Sequence, residues 1–199
     1  MKTAIDIIKS EHRALAAMLS GLSAFVDGIA AGKFEPDFTL LAAMIEYISE
    51  VPEKVHHPKE DDYLFPALRK RSASAAAIID DLQGEHHIGP ANLAALTTSL
   101  DNYRTAGAAG LPAFRDAVKA YVDFQWQHMS KEEKHVLPLA RDVLTAEDWA
   151  AIDGVFAAND NPWEGPAGEY KQLFTRIVSI APDPIGVGDR SPSHREGAQ

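Results

Sequence analysis

The chain has 199 residues, of which 46% are hydrophobic, and a formal net charge of −10 at pH 7. This length predicts one domain with appendages, and the negative charge argues against a nucleic-acid or anionic-membrane partner. The sequence has no cysteine, which excludes disulfides, thiolate metal ligands and cysteine nucleophiles.

The first predicted helix occupies roughly the first 30 residues. Its apolar residues recur at alternating steps of three and four, which is the spacing of a packed helix face, and His12 lies in the same stripe. Thr3 is a candidate N-cap and Gly32 a candidate end. The segment lacks the apolar core of a signal peptide, and no run of 18 apolar residues occurs. We therefore expect a cytoplasmic protein that has no membrane partner.

Three more long helices are predicted: one over residues 37–70, one whose inward stripe runs from Ile79 to Tyr103, and one over roughly 112–142 that starts with Pro112. The inward faces combine apolar residues with polar ones, and Tyr63, His135 and Leu139 are assigned to them. Proline inside a helix removes a hydrogen bond and crowds the preceding turn, so kinks are expected at three positions. These are Pro52, Pro58 and Pro90.

Four long helices joined by short loops predict an all-α fold, an antiparallel four-helix bundle over residues 1–144. The sequence from Thr145 to Asp148 is typical of a helix cap and predicts a fifth helix at 145–158. A weaker helical pattern follows at 168–180, so residues 145–180 form a helical extension. Residues 181–199 are rich in Pro, Gly and Ser and predict a disordered tail.

The most informative pattern occurs twice. Residues 56–69 (HHPKEDDYLFPALR) and residues 128–141 (HMSKEEKHVLPLAR) align without a gap, and each begins a His-x-x-x-Glu motif followed by a second acid. Residues four apart lie on the same face of a helix, so each motif directs an imidazole and a carboxylate to one place. A Glu-His pair precedes each motif. The resulting inward set is His12, His56, Glu60, His86, His128 and Glu132.

Six polar groups on inward helix faces need partners, because an unpartnered buried polar group costs roughly 2–7 kcal/mol. Four imidazoles and two carboxylates form a ligand set for two metal ions. This donor set suits iron, manganese or zinc. Two carboxylates shared between two ions suggest bridging, which gives each ion two imidazoles and one oxygen from each bridge. One coordination position is then left for a small exogenous ligand.

With this pattern, the chain resembles the hemerythrin-like HHE cation-binding domains over about residues 3–142. The resemblance implies a non-haem di-iron centre with an oxo or hydroxo bridge on a four-helix bundle. Matched residue by residue, it implies the six ligands named above. Oxygen-carrying members have a fifth histidine one turn after the third-helix ligand, where this chain has Pro90. The iron–sulfur-repair branch carries an additional cysteine-containing domain that is not found here.

Several assignments stay open at this point. His57 is an alternative to His56, which the repeat favours, and His87 is an alternative to His86. Glu133 is an alternative to Glu132. A further group of residues is placed near the site, with Tyr63 and His135 at its end and Tyr121 and Gln125 behind the ligands. The glycine beside Pro90, Gly89, is interpreted either as part of a kink or as leaving a small void beside one metal.

The leading functional hypothesis is a di-iron protein that binds or reacts with dioxygen, nitric oxide or peroxide, in sensing, scavenging or iron handling. A module that stores metal, or uses zinc or manganese to hold the bundle together, is the alternative. A third hypothesis is an interaction module whose inward polar groups satisfy one another without metal.

Overall fold

The computed structural model describes residues 3–158 together with residues 175, 177 and 178. Every regular element within residues 3–158 is helical, which confirms the predicted all-α class. The predicted helix at 168–180 lies outside the described residues, except for these three helical positions, and the predicted tail at 181–199 lies wholly outside them. The proposed domain boundaries remain predictions.

The α-helices of residues 3–158 are α1 (Ala4–Ala30), α2 (Phe38–Val51), α3 (His57–Lys59), α4 (Phe65–Arg71), α5 (Ala76–Ala106), α6 (Leu111–Lys131), α7 (Leu137–Val143) and α8 (Ala146–Ala158). Three π-helical turns, Pro52–His56, Glu60–Leu64 and Glu132–Val136, connect some of them without a break. The second long helix is therefore residues 38–71 and the fourth is residues 111–143, while α1 and α5 are the first and third. Short 3₁₀ segments, Ala73–Ala75 and Gly107–Gly110, precede α5 and α6.

The predicted helix ends are confirmed by their caps. The Thr3 side chain accepts a hydrogen bond from the Asp6 backbone N–H, and the Asp6 carboxylate accepts one from the Thr3 N–H, which completes a capping box. Gly32 follows α1 with a φ of 67°, a conformation that glycine adopts without strain. The same reciprocal pair joins Thr145 and Asp148 at the start of α8.

Each long helix packs against two others: α1 lies beside α2 and α6, and α5 lies beside α2 and α6. The long helices thus form a closed bundle, and α8 packs against α1. The antiparallel order of the helices remains a prediction. Among the described residues, α1 alone is long and apolar enough to cross a membrane by length and composition, and half of its apolar stretch is buried inside the bundle. A core helix passes the same test, so this is weak evidence for a membrane span.

Two hydrophobic clusters fill the bundle, one toward each end. The larger contains Leu15, Ile48 and Leu93, and the smaller contains Ile8, Leu64 and Leu82. On α1 and α5 every residue predicted to face inward is buried. The polar residues of the motifs lie between the two clusters along all four long helices, so the candidate site is a polar layer between two apolar ones.

The π turns share a feature in the sequence. Each contains the residue four positions before a proline, whose ring would clash with that residue's carbonyl group in an α-helix. The pairs are Lys54 with Pro58, Asp62 with Pro66, and Lys134 with Pro138. A π turn widens the helix locally and so relieves this clash. The local unwinding predicted at Pro52 and Pro58 is seen as the π turn Pro52–His56. At Pro90, by contrast, α5 continues as an α-helix.

The widened turns correct one sequence prediction. Tyr63 and His135 are exposed, and the buried positions after the two glutamates are Leu64 and Val136 instead. A π turn has more residues per turn than an α-helix, so the inward position moves one residue along the chain. The expectation that Tyr63 and His135 pack at the end of the site is therefore wrong, and Leu139 is only half-buried.

Candidate metal centre

The polar layer gathers all six predicted ligand residues in one buried place. Each of the six is less than one-tenth exposed, and both glutamates are fully buried. Three further buried residues, His57, Lys59 and Gln125, and the acid Glu11 complete the layer. On α5, His86 is buried and the adjacent His87 is exposed. Of these two histidines, His86 therefore faces the site.

The four histidines meet in pairs through their Nε2 atoms. His12 Nε2 lies 3.2 Å from His56 Nε2, and His86 Nε2 lies 3.2 Å from His128 Nε2. Each pair defines one half of the site: the first half is formed by α1 and the second long helix, and the second half by α5 and the fourth.

The outer nitrogen of each ring contacts a carboxylate. The Nδ1 distances are 2.9 Å from His12 to Glu133, 2.7 Å from His56 to Glu11, 3.0 Å from His86 to Asp61 and 2.9 Å from His128 to Glu85. An ionised carboxylate only accepts hydrogen bonds, so each Nδ1–H group donates a hydrogen bond to its carboxylate. In a neutral ring the Nε2 atom then carries a lone pair directed at the centre. Carboxylates in this position orient metal-ligating histidines and increase their basicity.

These four acids are functional residues whose roles sequence reasoning missed, although the signal was present. Glu11 and Glu85 are the acids of the repeated Glu-His pair, and Asp61 and Glu133 are the second acids that follow the two motifs. Glu133, the alternative to Glu132, also belongs to this group. Its carboxylate contacts the outer nitrogen of His12, where it orients the ring, while Glu132 occupies the centre.

Glu60 and Glu132 lie between the two halves. One oxygen of Glu132 is 3.0 Å from His12 Nε2 and the other is 3.1 Å from His128 Nε2, so this carboxylate reaches one histidine of each half. Glu60 Oε2 lies 3.5 Å from His56 Nε2 and 3.8 Å from His86 Nε2. Glu132 thus reaches both halves with different oxygens, and Glu60 approaches both halves with one oxygen.

The donor atoms of the centre fit metal ions, and the protein offers the central carboxylate oxygens few other partners. All four oxygens of Glu60 and Glu132 are buried without a hydrogen bond, and each such atom costs about 1–3 kcal/mol if it stays unpaired. Three sets of described residues could each hold a metal ion, because the possible ligand atoms within a set lie within 4.8 Å of one another. They are His12, His56 and Glu132; Glu60, His86 and Glu132; and His57, His86 and His128.

Burial and neighbouring charges shift the pKa values of the glutamates and histidines in the layer. Burial raises the pKa of Glu60 well above its usual range, and the neighbouring charge of Glu132 adds to this effect. Burial also opposes ionisation of Glu132, but the charge of His128 and the contact with His12 outweigh it and hold the pKa of Glu132 well below its usual range. For His128, burial is outweighed by Glu132 and Glu85, which raise the pKa to about 9.

A lysine stands behind one orienting acid in each half. Lys59 Nζ lies 3.5 Å from Glu11, and Lys131, its equivalent in the repeat, forms an ion pair with Glu85. The two differ in burial: Lys59 is 3% exposed and its Nζ lies 5.2 Å from the centre of the Phe156 ring on α8, whereas Lys131 is 28% exposed. Among the described residues, α8 therefore covers Lys59 in the first half, while Lys131 in the second half is more open to solvent.

Replacing Lys59 with methionine is expected to destabilise the protein by about 1–3 kcal/mol, because a buried oxygen of Glu11 loses its cation. Lys131→Met is the matched control, and its more exposed ion pair predicts a loss below about 1 kcal/mol. Urea unfolding of both metal-free variants measures the difference. Equal losses would show that the cover provided by α8 has no energetic effect.

Replacing Glu133 with glutamine is expected to weaken metal binding about 10–100-fold, the usual effect of removing an outer-shell partner of a metal-ligating histidine. The amide still reaches His12 but no longer orients the ring by charge. Asp142→Asn, an exposed acid on the same long helix, is the control and should leave the affinity unchanged. Competitive titration with a chelator measures both variants, and equal affinities would show that Glu133 has no such role.

Contacts near the site bear on two further expectations, the void beside Gly89 and the position of Tyr121 and Gln125. The void proposed beside Gly89 is filled, since a Cβ placed there would lie 2.6 Å from Glu53 Oε1. Glycine thus leaves room for the Glu53 carboxyl group. Gln125 donates a hydrogen bond to the Tyr121 hydroxyl group at 3.0 Å, and both side chains are buried in the core.

The sequence profile of the Hemerythrin HHE cation binding domain family matches residues 3–140. The chain therefore belongs to this family, and the buried histidine and glutamate clusters are those of a metal-binding domain. Neither a curated protein nor a solved structure gives a significant match to the chain.

Proposed function

We propose that this chain holds a non-haem di-iron centre that binds or reacts with a small ligand such as dioxygen, nitric oxide or peroxide, in sensing, scavenging or iron handling. One observation carries the proposal. Four histidine Nε2 atoms and four carboxylate oxygens without hydrogen bonds converge in a buried layer, and each histidine is oriented by an outer carboxylate.

The chemistry of the donors supports iron. Imidazole and carboxylate together suit iron, manganese and zinc, and the absence of sulfur donors disfavours Cu(I). His12 and His56 would hold one ion, His86 and His128 the other, and Glu60 and Glu132 would bridge them. A bound iron pair supplies the ability to bind a small ligand and to exchange electrons with it.

The protein's own residues prepare this chemistry. The hydrophobic clusters on both sides of the layer exclude bulk water, which strengthens electrostatic interactions inside it. The acids on the Nδ1 atoms keep the rings in one tautomer with Nε2 free to bind. With two imidazoles and two bridging oxygens on each ion, a position is left for an exogenous ligand.

Metal analysis with an absorption spectrum tests the proposal. Protein purified without oxygen should contain two irons per chain and, after exposure to air, should show a near-ultraviolet band that changes when azide is added. The variant Glu60→Gln is the control, since it keeps the shape of a protonated Glu60 and removes one bridge. A wild-type protein without iron that also fails to take up iron would overturn the proposal.

A structural or storage site for zinc or manganese is the second candidate. The complete burial of Glu60 and Glu132 favours it, because structural metal sites are closed and catalytic ones keep an open position. Stoichiometric zinc, with no azide-sensitive band after iron loading, would support this candidate. The cytoplasmic location and the small-molecule partner belong to the same proposal; the first rests on composition and the second on the ligand set.

A further inference from the structure

A fifth histidine is buried in the layer and has no assigned role. His57 follows His56 on the second long helix and is 6% exposed. Its ring stacks on the ring of His86 with centroids 4.0 Å apart and an interplanar angle of 16°, and it meets the ring of His128 edge-on at 5.2 Å. Although His57 is next to His56 in the chain, it therefore lies against the histidines of the second half.

The polar atoms of His57 are poorly satisfied. Its Nδ1 atom is buried and has no hydrogen-bond partner. A neutral imidazole has a lone pair on one nitrogen. In a dry layer of four other histidines, this lone pair requires a partner.

The position of His57 matches that of a ligand. It offers a nitrogen within 4.8 Å of ligand atoms of both His86 and His128. Nitrogen ligands on one ion at about 2.1 Å from the metal lie within about 4.2 Å of each other. The ligand atoms of the three rings, which lie within 4.8 Å of one another, are thus close to this spacing.

Glu53 repeats the arrangement seen behind the other histidines. Its Oε2 atom lies 3.8 Å from His57 Nδ1, on the same side of the ring nitrogen but farther away than the four other acids, which lie 2.7–3.0 Å from their Nδ1 atoms. The carboxyl group of Glu53 occupies the space that Gly89 leaves open. This glycine, whose stripe is otherwise filled by larger residues, thus makes room for a fifth acid behind a fifth imidazole.

We propose that His57 is a third imidazole ligand of the metal ion bound by His86 and His128, with Glu53 as its orienting carboxylate. The inference rests on the proposed metal centre and makes its two ions unequal. The ion in the second half has three imidazoles, and the ion bound by His12 and His56 has two.

Metal titration of His57→Ala tests this assignment, with His87→Ala as the matched control. His87 is the second histidine of the corresponding pair on α5 and is exposed. In the cobalt(II)-loaded protein, we expect His87→Ala to reproduce the affinity and the visible spectrum of the wild type. His57→Ala should bind one of the two ions at least about tenfold more weakly and should change the cobalt absorption. Two ions bound with wild-type affinity and spectrum would overturn the assignment.

A rescue experiment separates ligation from packing. His57→Gly leaves a cavity that free imidazole fits, so added imidazole should restore both the affinity and the cobalt spectrum. If the affinity falls and imidazole restores neither, His57 acts through packing and the assignment is wrong. The wild type serves as the test of the underlying proposal: a wild type that binds no metal removes the di-iron centre, whereas a two-ion wild type matched by His57→Ala removes only the role of His57.

Discussion

Replacing Glu132 with alanine is expected to release both metal ions and to lower the melting temperature of the metal-loaded protein by at least about 10 °C. The two oxygens of Glu132 lie near His12 and His128, so the substitution removes a ligand from each half. A ligand present at about 100–1,000 times its Kd stabilises a protein by about 3–4 kcal/mol, and 1 kcal/mol corresponds to about 2–4 °C for a chain of this length.

His56→Ala provides the comparison, because His56 belongs to the first half alone. It should release the ion of that half and leave the other bound. Metal content after gel filtration and calorimetric melting measure both variants, and the exposed Glu147→Ala serves as the neutral control. If Glu132→Ala keeps one tightly bound ion, the carboxylate does not bridge, and the pairing of the two halves through it is wrong.

The apparent metal affinity is expected to rise steadily between pH 7 and 9, by up to about tenfold per pH unit for each proton released. In the metal-free protein the pKa of His128 is raised to about 9 from the ordinary value of 6.5, so a proton occupies the ring where a metal ion would bind. The pKa of His12 is also raised: burial opposes this shift, but Glu132 and Glu133 outweigh burial.

The same shift gives the metal-free protein the opposite trend. A histidine whose pKa is raised on folding contributes stability that is fully present below pH 6.5 and is lost as the pH rises through about 9. The metal-free protein should therefore melt at lower temperature at pH 9 than at pH 6.5. Titrations at pH 6, 7, 8 and 9 with calorimetry measure both trends, and His135→Ala, an exposed histidine, should show the wild-type profile. An affinity that is constant above pH 7 would contradict this account.

Periodicity alone was enough to predict most of the bundle. The stripes of α1 and α5 contain only buried residues, because apolar residues at steps of three and four have one way to leave water on a regular helix. The duplicated motif likewise predicted which six polar residues meet. Their joint burial follows from their places in these stripes.

The parts that could not be predicted depend on departures from the regular helix and on side-chain direction. The prolines indicated where the helices deform, but not that Pro66 and Pro138 would each follow a π turn. That turn moves the inward position from Tyr63 to Leu64. The pattern also gives no information on which acid faces which ring nitrogen, since this requires the distance between neighbouring helices. For the same reason, the sequence did not predict that the Glu53 carboxyl group fills the space at Gly89.

The contacts of the orienting acids cross between the repeated segments in a particular way. Glu11 and Glu85 contact a histidine of their own repeat, whereas Asp61 and Glu133 contact a histidine of the other one. Each repeat therefore lacks acids that only the other provides, and the pattern of contacts is the same in both directions. A peptide containing one repeat alone would form half a centre, and two such peptides could complete each other as a symmetric homodimer. This exchange is consistent with an origin of the fold by duplication of a self-pairing two-helix unit.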